Sequence, residues 1–131
     1  MAAAFTKRGI VPESGGTWFL PRLLGWSKAA ELIFTGRTLT APQCLELGLV
    51  SEIVPTNDLM PRARGLAAEI AGNAPMAVQA SKRMMRMGMD ERFNEHVHHV
   101  FLQLLPLLKS EDAKEGMVAF LEKRVPSFKG K

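Results

Sequence analysis

The hydrophobic pattern changes character near Pro55. Ahead of it, short apolar groups alternate with glycine-rich breaks; beyond it, apolar residues recur at helical spacing almost to the end. In the first part, Ser14-Gly15-Gly16-Thr17 and Gly25 bracket a short helix carrying Trp18, Leu20, Leu23 and Leu24. Ser27 is placed to cap a second helix with Ala29, Ala30, Leu32, Ile33 and Phe34, closed by Thr35-Gly36. Thr40, with Pro42 in the first turn, opens a third that Gly48 ends. The β-branched, weakly alternating run at residues 49–54 predicts a strand that stops at Pro55.

Four helices are expected after that point. Asn57 is the predicted cap of the first, which carries Leu59, Ala63, Leu66, Ala67 and Ile70 and ends at Gly72-Asn73. The second starts near Pro75 and runs through Met76, Val78, Ala80, Met84 and Met85 towards Gly88. The third covers about residues 91–105. The fourth is capped by Ser110, has Glu111 and Asp112 well placed in its first turn, and reaches about residue 124. Residues 126–131 read as a polar tail. A lone strand leaves backbone donors and acceptors unpaired, so the first part is expected to pack against sheet from another segment or chain.

Composition adds limits to this picture. With 131 residues, 47% hydrophobic and 23% charged, and a mean hydropathy of +0.01, the chain has the balance of an ordinary globular protein. No apolar run approaches the roughly 18 residues that span a bilayer, and the opening Met-Ala-Ala-Ala-Phe-Thr-Lys-Arg does not read as a secretory signal. A cytoplasmic location without a membrane partner is the expectation. The net charge of +4 comes from dispersed Lys and Arg in a chain with no Tyr, which argues against nucleic acid and suits an anionic substrate or cofactor.

Candidate chemistry centres on Gly9-Ile10-Val11-Pro12-Glu13-Ser14-Gly15-Gly16-Thr17. A rigid proline holds a carboxylate just ahead of a Gly-Gly turn, where a ligand can approach the backbone and the helix start favours an acid. From pattern alone Glu13 has two readings, a helix-start acid or a site base. Ser14 and Thr17 have no His nearby and no nucleophile elbow. His96, His98 and His99, with Glu95 beside them, lack a third ligand at metal spacing, since His98 points away from the face shared by the other two. Met84, Met85, Met87 and Met89 read as adaptable packing, Lys82, Arg83 and Arg86 as the solvated face of their helix, and Cys44 as a buried structural thiol.

The chain as a whole resembles the crotonase family of enoyl-CoA hydratases and isomerases. The resemblance runs in order through Gly9 to Thr17, Leu20-Pro21-Arg22-Leu23-Leu24-Gly25, Ala30 to Arg37, Ala41 to Val50 and Val54-Pro55. It closes on Asp112, Glu115-Gly116, Ala119-Phe120, Glu122-Lys123-Arg124, Pro126 and Phe128. It implies an α/β fold class: the last turn of a crotonase-type ββα spiral core, about residues 1–56, then an all-helical C-terminal trimerisation region, about residues 57–131. The matching half is the C-terminal one, so the two backbone N–H groups of the family's oxyanion hole belong to a half not matched here. Activity is then expected to need that half, in cis or as a partner chain.

The resemblance also assigns residues. Family hydratases use two glutamates, one in the unmatched half and one at the position of Phe5, so the hydratase pair is not expected here. Glu13 falls where 3-enoyl-CoA isomerases carry their single catalytic glutamate. The implied substrate-binding residues are Phe5, Pro12, Gly15, Phe120 and Lys123. The implied partners are an acyl-CoA thioester and further copies of the chain, as a homotrimer or a dimer of trimers. No separate cofactor is expected, coenzyme A being part of the substrate. A non-catalytic oligomerisation or interaction piece and an enoyl-CoA hydratase are the alternatives.

Overall fold

A computed structural model describes residues 1–131, which divide into two compact units, Met1–Thr56 and Asn57–Lys131. The first unit opens with a 3-10 turn, Thr6–Arg8, followed by helices α1 (Gly16–Leu24), α2 (Trp26–Thr35) and α3 (Ala41–Glu46). Helix α1 packs on α2, and the 3-10 turn rests on the same helix. The Thr6 hydroxyl donates to the Ile33 carbonyl at 2.7 Å, tying the turn to α2. Ala3, Leu32, Ile33, Leu39 and Cys44 form the buried cluster, with Leu20, Leu24, Leu47, Leu49 and Val50 packed against it.

Local chemistry sets the helix ends. Thr40 closes a full capping box, its hydroxyl accepting from the Gln43 N–H while the Gln43 side chain accepts from the Thr40 N–H. Gly25, not Ser27, is the cap of α2, and Ser27 lies inside the helix. Gly36 ends α2 at a φ of 57° and is buried, so a β-carbon there would meet Lys7 and the Ala4 backbone.

The expected strand at residues 49–54 does not form. That segment is bend and coil, and the β-pairing present is an isolated antiparallel bridge between Ala2 and Thr38. It is flanked by reciprocal hydrogen bonds between Met1 and Leu39, 2.9 Å from the terminal amine and 2.7 Å from the Leu39 N–H. The pattern carries β-propensity, but a strand is defined by its partner, and none of the described segments lies alongside to pair with it.

A 3-10 turn, Thr56–Asp58, leads from the first unit into the helices of the second, α4 (Leu59–Ala71), α5 (Pro75–Met87), α6 (Phe93–Leu108) and α7 (Glu111–Glu122). Asn57 lies within the 3-10 turn and Asp58 precedes α4 without a side-chain cap bond, so the predicted Asn57 cap is replaced by a tightened entry. Ser110 does cap α7, its hydroxyl accepting from the Ala113 N–H at 3.0 Å. Helix α6 packs on both α5 and α7.

Residues 126–131 are not a loose polar tail. Buried Asp112 accepts the N–H groups of Lys129 at 2.6 Å and Gly130 at 2.8 Å, and its own N–H donates to the Lys131 carbonyl. Glu115 accepts from the Ser127 N–H at 2.8 Å and binds the Arg124 guanidinium through both oxygens, at 2.6 and 2.9 Å. The paired Arg124 and the Ser127 N–H hold the Glu115 carboxyl down at about 2, and the same pairing raises Arg124.

Candidate functional site

The segment singled out by sequence becomes a short rigid approach to α1. Pro12 is buried, Glu13 and Ser14 form an exposed turn, and Gly15 caps the helix at a φ of 81°. The two glycines serve different ends. Gly15 adopts a left-handed conformation beneath the Phe19 ring, 3.0 Å from where a β-carbon would lie. Gly16 lets the helix start press on Pro12, since a β-carbon there would sit 2.7 Å from the proline Cβ. Pro12 is thereby clamped between the helix and the interior, and Glu13 is anchored by its neighbour. The Ser14 hydroxyl donates to Glu13 Oε1 at 3.2 Å.

Beside this turn lies a pocket of about 240 Å³ within the first unit. Phe5, Pro12, Ser14 and Gly16 line one part of it, and Phe19, Leu20, Leu32, Leu39 and Leu49 supply apolar wall. Phe5 is held by its own backbone, its carbonyl accepting from the Arg8 N–H at 2.9 Å and the Ile10 N–H at 3.2 Å. The structure therefore brings Phe5 and Pro12 into one pocket wall. Glu13 and Gly15 lie in the adjoining turn without lining it. Phe120 and Lys123 belong to the second unit, at the end of α7, where Phe120 is 83% exposed and Lys123 takes a left-handed φ of 54°.

Sequence reasoning missed Ser14, which both lines the pocket and bonds the Glu13 carboxylate. Its position between a carboxylate and a Gly-Gly turn was the available signal. It also missed the apolar wall, because Leu32 read only as an apolar position on its helix and Leu39 was not singled out.

The histidines have a structural partner. Glu91 lies with one oxygen 3.0 Å from His96 Nδ1 and the other 2.8 Å from His99 Nδ1, leaving Glu95 outside this cluster. Burial works to raise the Glu91 carboxyl, but the hydrogen bonds and positive character of His96 and His99 outweigh it and hold the group below its ordinary range. No group of three or more His, Cys, Asp or Glu side chains is placed to hold a metal ion. No helix is long and apolar enough to cross a membrane. Cys44 is free and buried.

A family model described as enoyl-CoA hydratase/isomerase matches residues 1–131. The chain belongs to that family. It is 40% identical over 128–129 residues to relatives that include the carnitinyl-CoA dehydratase of Salmonella typhi, a match covering 95% of this chain and 49% of that one. It is 37% identical to the enoyl-CoA isomerase/hydratase fer4 of Mycosarcoma maydis, over 95% of this chain and 46% of the relative. Among solved structures, the enoyl-CoA hydratase of Bacillus anthracis superposes with a TM-score of 0.94 at 37% identity, covering 98% of this chain and 50% of its own. The chain thus spans about half the length of the curated relatives it matches, and its fold is the crotonase arrangement of a short core segment followed by helices.

Proposed function

We propose that this enoyl-CoA hydratase/isomerase family chain contributes the base of an acyl-CoA isomerase, moving a double bond from the 3,4 to the 2,3 position. The observation that carries the reading is the setting of Glu13. It is a carboxylate on a clamped Pro12-Gly16 turn, next to an apolar pocket lined by Phe5 and Pro12.

One carboxylate suffices for this reaction. Glu13 takes the proton from C2 of a 3-enoyl thioester, the electron pair moves into the thioester carbonyl to give an enolate, and the conjugated system collapses as the proton is returned at C4. Glu13 ends in the state in which it began. The enolate oxygen needs preorganised donors, which typically supply about 3 kcal/mol each, and the resemblance assigns these to the half of the family fold that this chain does not match. Phe5, at the position where the resemblance puts one of the two hydratase glutamates, supports isomerisation over water addition, because this chain then supplies neither member of that pair. Phe120 and Lys123 are proposed to meet the nucleotide end of coenzyme A, in an assembly of several copies.

A second reading rests on the second unit, where Phe93, Phe101, Leu105, Phe120 and Leu121 are all more than half exposed. That face suits a chain whose helices serve association rather than chemistry. The experiment that separates the readings joins this chain to the complementary half of a family relative and assays 3-enoyl-CoA isomerisation beside 2-enoyl-CoA hydration. Isomerisation that falls with Glu13→Gln is the expected outcome. Isomerisation undiminished in that variant removes Glu13 from the mechanism, and no activity in any assembly favours the association reading.

A further inference from the structure

The second unit contains a groove that the isomerase reading does not use. We infer that this groove, between the end of α4, one face of α5 and Phe128, binds an aliphatic carboxylate of fatty-acid type. Its volume is about 870 Å³, and it is open to solvent along one side. Helix α5 contributes Val78, Lys82, Met85 and Arg86, which recur at the spacing of a single helical face, and Met89 follows from the turn just beyond it. Ile70, Ala77 and Phe128 complete the apolar lining.

The distribution of charge selects the ligand. Lys82 and Arg86 stand one turn apart on the groove wall, and no Asp or Glu lines it. Two cations beside an apolar trough match a molecule with one anionic head and a hydrocarbon body. A guanidinium fork and an ammonium can share one carboxylate, the first through paired N–H groups and the second as a point charge. Met85 and Met89 suit a chain of variable shape, since the thioether side chain is unbranched and adapts to its contents. Met85 is 74% exposed, so nothing within the unit fills its place in the trough. An apolar helix from another copy would bury the two cations without a counter-charge, which is costly. A small anion such as phosphate would leave the trough empty.

The test is calorimetric titration of the 131-residue chain with dodecanoate below its micelle concentration, with butyrate and 1-octanol as ligands lacking the tail or the charge. Saturable binding of dodecanoate at one site, with butyrate and octanol far weaker, is expected. Lys82→Gln combined with Arg86→Gln should raise Kd at least about tenfold, because charge-assisted hydrogen bonds to the head are lost. Lys109→Gln combined with Lys114→Gln, at positions outside the groove, should leave Kd unchanged. Met85→Glu, at an exposed position that tolerates a polar side chain, should abolish binding by placing a carboxylate against the head group. Equal affinity in the Lys82/Arg86 variant, binding of butyrate as tight as that of dodecanoate, or no saturable binding overturns the assignment. So does binding that is lost as the chain self-associates at higher concentration, since a second copy would then be the occupant.

Discussion

The two units differ in what their side chains are used for. In Met1–Thr56 the large apolar residues Leu32, Ile33 and Leu39 are buried together, and glycines and a capping box fix the turns around them. In Asn57–Lys131 the buried residues are Ala80, Ala119 and the charged Asp112; Met76, Val78, Met84, Val97 and Leu107 are half-buried, and many other large apolar side chains of α4 to α7 face outward. Polar contacts join its elements instead: Arg83 donates to Gln103 between α5 and α6, Glu91 engages two histidines, and Asp112 and Glu115 hold the closing segment. The first unit gathers large apolar side chains into an internal cluster, although Val11, Leu23, Trp26 and Phe34 remain exposed around it. The second is internally latched by polar groups, and its apolar surface is available to something beyond the unit.

This contrast can be broken most sharply at Asp112. Asp112→Ala removes two short bonds to backbone N–H groups and leaves those donors without their acceptor, which should cost about 3 kcal/mol and release residues 126–131. Urea unfolding and amide exchange at Lys129 and Gly130 read both effects. Unchanged protection there would mean that the closing segment is held by other contacts. In the first unit, Gly16→Ala should cost about 2 kcal/mol by forcing a methyl group into Pro12, against overpacking penalties of about 1–3 kcal/mol. A shift confined to signals of the first unit in the NMR spectrum would sharpen the separation of the two.

Acid should act on the second unit through Glu115. Its folded-state value of about 2 lies below the ordinary 4.5, so the contact contributes stability that is fully present above about 4.5 and is lost as the pH falls through about 2. Chemical denaturation between those pH values should show a decline that Glu115→Gln flattens. A wild-type slope identical to that of the variant would leave the Arg124 pairing without energetic weight, as exposed ion pairs often are. The smallest effect is expected at Gly65, inside α4, where nothing lies within 4 Å of the position a β-carbon would take. Gly65→Ala should stabilise the helix by about 0.5–1 kcal/mol through backbone propensity, and a loss of stability would show that something approaches that face.

How much was legible in the sequence follows from how local each feature is. The four helices after Pro55 and the Ser110 and Thr40 caps were readable because periodicity and capping involve residues within one or two turns. The strand at residues 49–54 was misread because its propensity is local whereas its pairing is not. The closing segment was misread for the same reason: Asp112 has the position of an ordinary first-turn acid, and its bonds reach Lys129 and Gly130, residues that look like a charged tail in isolation. At the candidate site, the turn from Pro12 to Gly16 was visible, but the glycines were read as room for a ligand, whereas their contacts are with Phe19 and Pro12. The pocket beside it was not, because Phe5, Leu20, Leu32, Leu39 and Leu49 converge only when α1, α2 and the 3-10 turn are packed. The groove beside Lys82 and Arg86 was hidden similarly, since a solvated helix face and a charged groove wall have the same sequence pattern.

The proposal that the first unit carries the base is tested most directly by proton exchange. With this chain joined to a complementary family half and a 3-enoyl-CoA thioester in D2O, deuterium entry at C2 reports proton abstraction whether or not product leaves. Exchange is predicted to drop about 10²–10⁴-fold in Glu13→Gln, the range for losing a general base, while Lys82→Gln with Arg86→Gln leaves it unchanged. Exchange as fast in Glu13→Gln as in the unaltered chain would contradict that assignment.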